Sequence, residues 1–414
     1  PRWARGPGRA GPPSMSRPLR RTRGDLISTA LIAAVSVVAV GGVWLTAPIR
    51  ESELTPAESE FVAAAPMETV PTALAETWSA DAGVLPGVHR PLVIDGLVVS
   101  HDAHTVRALD PADGTEVWSY TRDLPLCSLG AAWGRVVTTW RAANGCGDVV
   151  SIDAGTGQYH RTRSAVSPDE VVAVNSNDRV GTVGAERLEL WRSDLVRTVE
   201  YGKVEGIQEP HLQPHPGCRL TSALTRSELL AVTEVCGDGT WLRFQEATPE
   251  QSREPEIRSS VELDSPTAYL VAVGESGAAV IDDAEIVSYS DEGTELHRLG
   301  VTSPAVEEQE LPYAPVTADQ PHHMTWFDGR HLVLFSPTEL EVQHSFDDAV
   351  GTGVAAGGRL LVPVAEGIAV VNWETGETEN TIPVDRGDHV GMVTLGVAGE
   401  TVVEKRGDRL YGLR

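Results

Sequence analysis

The side chains able to do chemistry are few and scattered: four cysteines, twelve histidines and many acids. "HLQPHPGC" sets His211, His215 and Cys218 within one short run, types that bind transition metals. Prolines at 210, 214 and 216 disfavour a helix that could aim both histidines at one ion. A cysteine committed to a disulfide cannot ligate a metal either. "QPHHMTWF" offers His322 and His323, but neighbours on a strand point to opposite faces. "AVGTGVAAGG" is rich in glycine, yet no helix follows to cradle a phosphate. No Ser/His/Asp arrangement declares itself. The expectation is a chain with no catalytic residue, no metal ligand and no cofactor.

The elements around these residues are more informative. Residues 1–50 carry eight arginines and one acid, Asp25, whereas residues 51–414 hold 25 basic and 58 acidic residues, a net of −33. A body that acidic repels nucleic acid and anionic lipid surfaces, which removes both from its partners. Leu26 to Ala47 has no charge, and its 22 residues are enough to cross a bilayer as a helix. Arg17, Arg20, Arg21 and Arg23 precede it and acids follow, so the positive-inside rule puts the N-terminus in the cytoplasm and the rest outside. A cleaved signal peptide is the competing reading, although the run is long for one and Pro48 would hinder cleavage after Ala47. The division that follows is a basic cytoplasmic tail over 1–25, a transmembrane helix over 26–47, a flexible tether over 48–73 and a folded domain over 74–414. Met15 is a candidate start.

Aromatics make up only 5% while there are 40 glycines and 27 prolines, a turn-rich composition suited to sheets. The domain repeats one pattern: strand, turn, strand, polar spacer, strand, then a turn with Asp or Asn four residues before Gly. Asp110/Gly114, Asp153/Gly157 and Asn372/Gly376 are the clearest pairs. The acid or amide caps its own turn, and glycine takes the positive φ the turn requires. Eight units at about 42 residues each point to an all-β, eight-bladed β-propeller, with seven blades also open. The last unit stops at Arg414 after its third strand, while "ETWSAD" (76–81) is an outer strand with no unit of its own. Pairing the two closes the ring and removes two sheet edges.

"ALDPADGTEVW" and "SIDAGTG" resemble the repeat of the PQQ-like (quinoprotein-type) β-propellers. The resemblance spans about 74–414 and includes membrane-anchored members of actinobacterial envelopes. It implies the fold more firmly than the function. The family holds quinone-dependent dehydrogenases and non-catalytic scaffolds, among them an outer-membrane assembly lipoprotein of Gram-negative bacteria. The catalytic members carry a disulfide between adjacent cysteines on the quinone, and no two cysteines here are adjacent. A PQQ-dependent oxidoreductase is thus the disfavoured alternative.

Cys127 and Cys146 in the second unit, and Cys218 and Cys236 in the fourth, take matching positions, the first at the head of the inner strand and the second between the middle strands. That favours disulfides 127–146 and 218–236 over the other pairings, with four free thiols as the alternative. Disulfides fit an extracytoplasmic domain. Long connections at 202–217 and 302–325 fall on the same face, where binding usually resides. Their candidate contact residues are Pro210, His211, His215, Tyr313, His322, His323 and Trp326. The function expected is a protein-interaction scaffold docking other envelope or membrane proteins, with a glycolipid or cell-wall glycan as the alternative ligand.

Overall fold

The computed structural model describes residues 21–46, 48–204, 210–301, 312–321 and 323–414. Its N-terminal unit is a helix, Arg23–Leu45. The helix starts three residues before the apolar run because Thr22 and Asp25 form a reciprocal cap: the Thr22 hydroxyl accepts from the Asp25 N–H (3.2 Å) and the Asp25 carboxylate accepts from the Thr22 N–H (2.9 Å). It ends at Leu45 rather than Ala47. Its 23 residues span about 34 Å. With a mean hydropathy of 2.3 and no buried residue, it is long and apolar enough to cross a membrane.

The second unit is an eight-bladed all-β propeller. Blade I is built from Leu92–Ile94, Leu97–His101, Thr105–Leu109 and Glu116–Arg122. Blade II follows with four strands over 126–164, blade III over 172–202, blade IV over 219–263, and blade V over 269–300. Blade VI takes 316–346, blade VII 354–383, and blade VIII 393–413. The stretch 330–358 forms the outer half of blade VI and the start of blade VII, which makes eight blades and not seven. Middle strands such as Gly367–Val371 are buried on both faces and read as continuous apolar runs. Outer strands such as Tyr159–Ser164 are largely exposed.

Blade VIII borrows its outer strand from the N-terminal side. Glu76–Asp81 pairs antiparallel with Arg409–Leu413, setting Trp78 opposite Gly412 and Asp81 opposite Arg409. The ring also closes through its core. One apolar cluster joins Trp78, Val403 and Leu410 of blade VIII to Val98 and Leu109 of blade I. Other clusters bridge I to II, II to III, III to IV, IV through V to VI, VI to VII, and VII to VIII. Every neighbouring pair of blades therefore shares buried apolar surface, the dominant stabilising term.

The repeat's turns do two jobs. In blade I the Asp110 side chain accepts from Ala112 N–H (2.8 Å), and its carbonyl accepts from Gly114 N–H (2.8 Å). Gly114 has φ +74°, and a Cβ there would lie 2.8 Å from the Trp78 ring. The glycine thus supplies both the turn and the floor on which the previous blade's tryptophan lies. Trp78 then donates from Nε1 to the Pro111 carbonyl (2.9 Å). The same dock recurs one blade on, with Trp118 over Gly157 and its Nε1 donating to Ala154 (2.7 Å). In blade VI, His344 takes the tryptophan's place over Gly376.

The stretch expected to be a free tether is packed on the domain. Ser52–Thr55 adds a fifth strand to blade I. Ala57 and Phe61 N–H donate to the Thr156 and Gly155 carbonyls (3.0 and 2.9 Å). Leu54 and Phe61 pack on the blade I–II cluster, and Met67, Val70 and Leu74 on the blade VII–VIII cluster. Ala75 and Arg414 exchange both backbone hydrogen bonds, handing the segment on to the closing strand. Its contacts fall on turns between first and second or third and fourth strands, the face opposite the one that carries the disulfides.

Candidate functional site

Both expected disulfides form, Cys127–Cys146 and Cys218–Cys236. Their placements match only approximately. Cys146 is the second residue of the third strand of blade II, whereas Cys236 ends the second strand of blade IV. Loops closed over 19 and 18 residues contribute about 3 kcal/mol each.

The inner strands surround a central channel, and the connection from the closing strand into blade I crosses its mouth. Residues 82–91, "AGVLPGVHRP", are tied to three parts of the ring. The Pro86 carbonyl accepts from Ala173 N–H in blade III (3.1 Å). The His89 carbonyl accepts from the Thr394 hydroxyl in blade VIII (2.8 Å), and its Nε2 meets the Ala314 carbonyl just before blade VI (3.0 Å). Lys405 donates from Nζ to the carbonyls of Gly83 (3.1 Å) and Val88 (3.3 Å). Burial lowers the Lys405 pKa to about 8. Gly83 packs on the ring of His101, whose pKa falls to about 4 through burial first and the Lys405 charge second.

At the other end, inner strands stop in polar residues. Arg226 pairs with Asp319 at 3.2 Å, and Asn177 Nδ2 donates to the same carboxylate at 3.2 Å. A cavity of about 370 Å³ lies between these ends, lined among others by Arg90, Asn175, Arg226, Tyr313 and Asp319. Burial raises the Asp319 pKa, opposed by Arg226 and Arg90, and burial lowers that of Arg90, opposed by Asp319. Arg226 pairs with Asp319, and Arg90 and Asp178 act on that carboxylate through their charges alone.

The candidate contact residues fall into separate groups. Tyr313 lies 4.1 Å from Tyr269 by ring centroids at the channel wall, and its N–H donates to Thr221 of blade IV (2.6 Å). Trp326 is 1% exposed and packs near the same Tyr269, so its ring is core and not contact surface. His323 stacks on Trp373 of blade VII. His211 is exposed on the short turn Pro210–Leu212. His215 is half-buried beside Cys218 and Glu234. His322 lies outside the described residues. Sequence reasoning missed Arg90, Asn177, Arg226 and Asp319. The available signal was weak, a charged or amide residue beside the turn that ends an inner strand.

No family model and no curated protein matches the chain. Solved structures do. BamB from Moraxella catarrhalis aligns with a TM-score of 0.51 at 12% identity, over 83% of this chain and 100% of that one. Dihydro-heme d1 dehydrogenase NirN aligns with a TM-score of 0.50 at 11% identity, over 79% of this chain and 72% of that one. At such identities the likeness is one of fold, and the fold is the β-propeller.

Proposed function

We propose that this chain is a membrane-anchored, extracytoplasmic propeller that works as a non-catalytic scaffold for other envelope proteins. The observation that carries the reading is the occupied channel mouth. Residues 82–91 cross it and are held by Ala173, Thr394, Lys405 and the Ala314 carbonyl, so this face offers loops to a partner in place of an open funnel. Two disulfides on that face support an oxidising compartment. The arginines before the apolar helix support an N-terminus in the cytoplasm.

A quinone cofactor does not suit the residues present. Each cysteine is bridged to one 18 or 19 residues away, and the channel carboxylate Asp319 is engaged by Arg226 and Asn177. Crosslinking and mass spectrometry on the full chain in native membranes tests the scaffold. The expected result is a defined protein partner captured by wild type and lost when residues 302–311 are replaced by a Gly/Ser run. Dye-linked oxidation of alcohols or sugars after adding PQQ and calcium would overturn the non-catalytic reading.

A second reading rests on Arg90. A guanidinium lining a cavity suits the acidic head group of a glycolipid or glycan. Calorimetric titration with anionic and neutral glycolipid head groups separates the two. Saturable binding that disappears in Arg90→Ala favours the ligand reading.

A further inference from the structure

The two disulfides differ in their surroundings. Cys127 and Cys146 form a small cluster with Val171, and the polar neighbour of Cys146 Sγ is the Asp169 carbonyl. Cys218 has other company. A ring nitrogen of His215, the Sγ of Cys218 and a carboxylate oxygen of Glu234 all lie within 4.8 Å of one another. Cys236 Sγ, bonded to Cys218, stands 3.6 Å from Glu234 Oε1. This is the one such group of metal-ligand side chains among the described residues.

We propose that reduction of Cys218–Cys236 turns this corner of blade IV into a Zn²⁺ site with Cys218, Cys236, His215 and Glu234 as its four ligands. A dithiol reductant supplies two electrons and two protons, cleaving the S–S bond and becoming a disulfide itself. The metal then displaces the two thiol protons to solvent and binds two thiolates, an imidazole and a carboxylate. Tetrahedral zinc holds such ligands about 2.0–2.3 Å from the ion, so their donor atoms stand about 3.5 Å apart. The present spacing reaches that with small side-chain movements once the sulfurs separate.

The surroundings are arranged for it. Glu234 is fully buried and oriented on both oxygens, by Tyr201 Oη (2.8 Å) and Arg243 Nε (2.8 Å). Partners of this kind orient metal ligands in known sites. The tight turn 215–218, closed by the Cys218 N–H on the His215 carbonyl (3.3 Å), presents histidine and cysteine to the same side. While the disulfide is intact only His215 and Glu234 are available, too few for zinc, so the site is gated by redox state.

The test uses the full chain carrying Cys127→Ser and Cys146→Ser, which leaves one disulfide. Zn²⁺ is titrated against a chromophoric chelator before and after reduction, and Co²⁺ replaces it to read thiolate charge-transfer absorption. The expected result is one equivalent bound after reduction, none before, and affinity at least about tenfold lower in His215→Ala. Near-UV circular dichroism of the reduced protein follows the fold independently. Equal binding by oxidised protein, unchanged affinity in His215→Ala, no uptake, or unfolding on reduction would each overturn the proposal.

Discussion

Blades I and II each receive their predecessor's tryptophan on a glycine turn, with one ion pair, Arg122–Asp148 (3.0 Å), at the second of these joints, whereas blades III and IV add a larger buried charge network to their apolar contacts. Where Trp118 meets Gly157, the contact is apolar apart from one indole hydrogen bond. Where blade II meets blade III, Arg163 of the outer strand reaches Glu189 (2.8 Å). Glu189 is also held by Arg187 (2.6 Å), and Arg187 and Arg197 both reach Glu200 (2.6 and 2.7 Å). Where blade III meets blade IV, Tyr201 donates to Glu234, which Arg243 also binds. The same joint is made by two chemistries. The apolar one is sequence-local and repeats visibly. The ionic one draws on residues of several strands and leaves no motif.

The largest expected effect tests the joint common to both halves. Deleting residues 74–81 removes the outer strand of blade VIII and the Trp78 ring, and exposes the edge at Arg409–Leu413. Losing one buried tryptophan alone costs about 3–5 kcal/mol, and the strand's ladder adds to it. Thermal unfolding should broaden and shift far downward. An unchanged melting curve would show that the ring does not depend on this closure.

Glu234→Gln strikes the ionic half. It leaves Arg243 buried without its counter-charge while keeping the side chain's shape. Breaking one partner of a buried pair costs about 3–5 kcal/mol. Denaturant titration should show that loss with an unchanged slope. A loss below that of a surface substitution would mean the network tolerates its charges instead of using them.

The sequence made the apolar joints readable and the ionic ones not. Asp110, Gly114 and the Glu-x-Trp that follows sit within one short window, and the displaced copy at 76–79 carried the closure. The disulfide pairing was readable because matching cysteine placements reduce the pairings. The packed segment over 53–75 was not readable. Its anchors Leu54, Phe61, Met67 and Val70 follow no period, since the first two pack on the blade I–II cluster and the last two on the blade VII–VIII cluster. Trp326 reads in sequence as contact surface because aromatics in long connections look exposed, yet its strand runs into the core. The channel residues come from blades far apart in the chain, so no window contains them.

Acid acts on the two halves in two pH windows. His101, in apolar-fastened blade I, has a folded pKa of about 4 against an ordinary 6.5. Between those values the unfolded chain binds more protons, so stability falls as pH drops from about 6.5 to about 4, by roughly 2–3 kcal/mol. His101→Gln should flatten that interval. Glu189 acts lower. Burial pushes its carboxyl up, but Arg163 and Arg187 outweigh burial and hold it below the ordinary value, so its contribution is lost only as pH falls below about 4.5. Stability measured against pH should therefore fall in two windows, an upper one to which His101 contributes along with His89, His160 and His215, whose pKa values are also lowered, and a lower one to which Glu189 contributes along with Asp102. One step at the lower window would remove His101 from the account.

The smallest effect isolates the docking turn itself. Gly157 has φ +68° and Gly407 has φ +61°, so alanine at either suffers the same left-handed strain, about 1 kcal/mol. They differ in what a Cβ would meet. At Gly407 nothing lies within 4 Å, whereas at Gly157 the Trp118 Cβ and Cγ lie 2.6 Å away, with no flexible end to move aside. Gly157→Ala must lift the indole and stretch its bond to Ala154, adding about 1–3 kcal/mol of overpacking. The difference between the two variants, read from denaturant midpoints, is therefore the energetic signature of ring on turn. If the two alanines cost the same, the glycine serves the turn alone, and the tryptophan joint is ordinary apolar contact with no special fit.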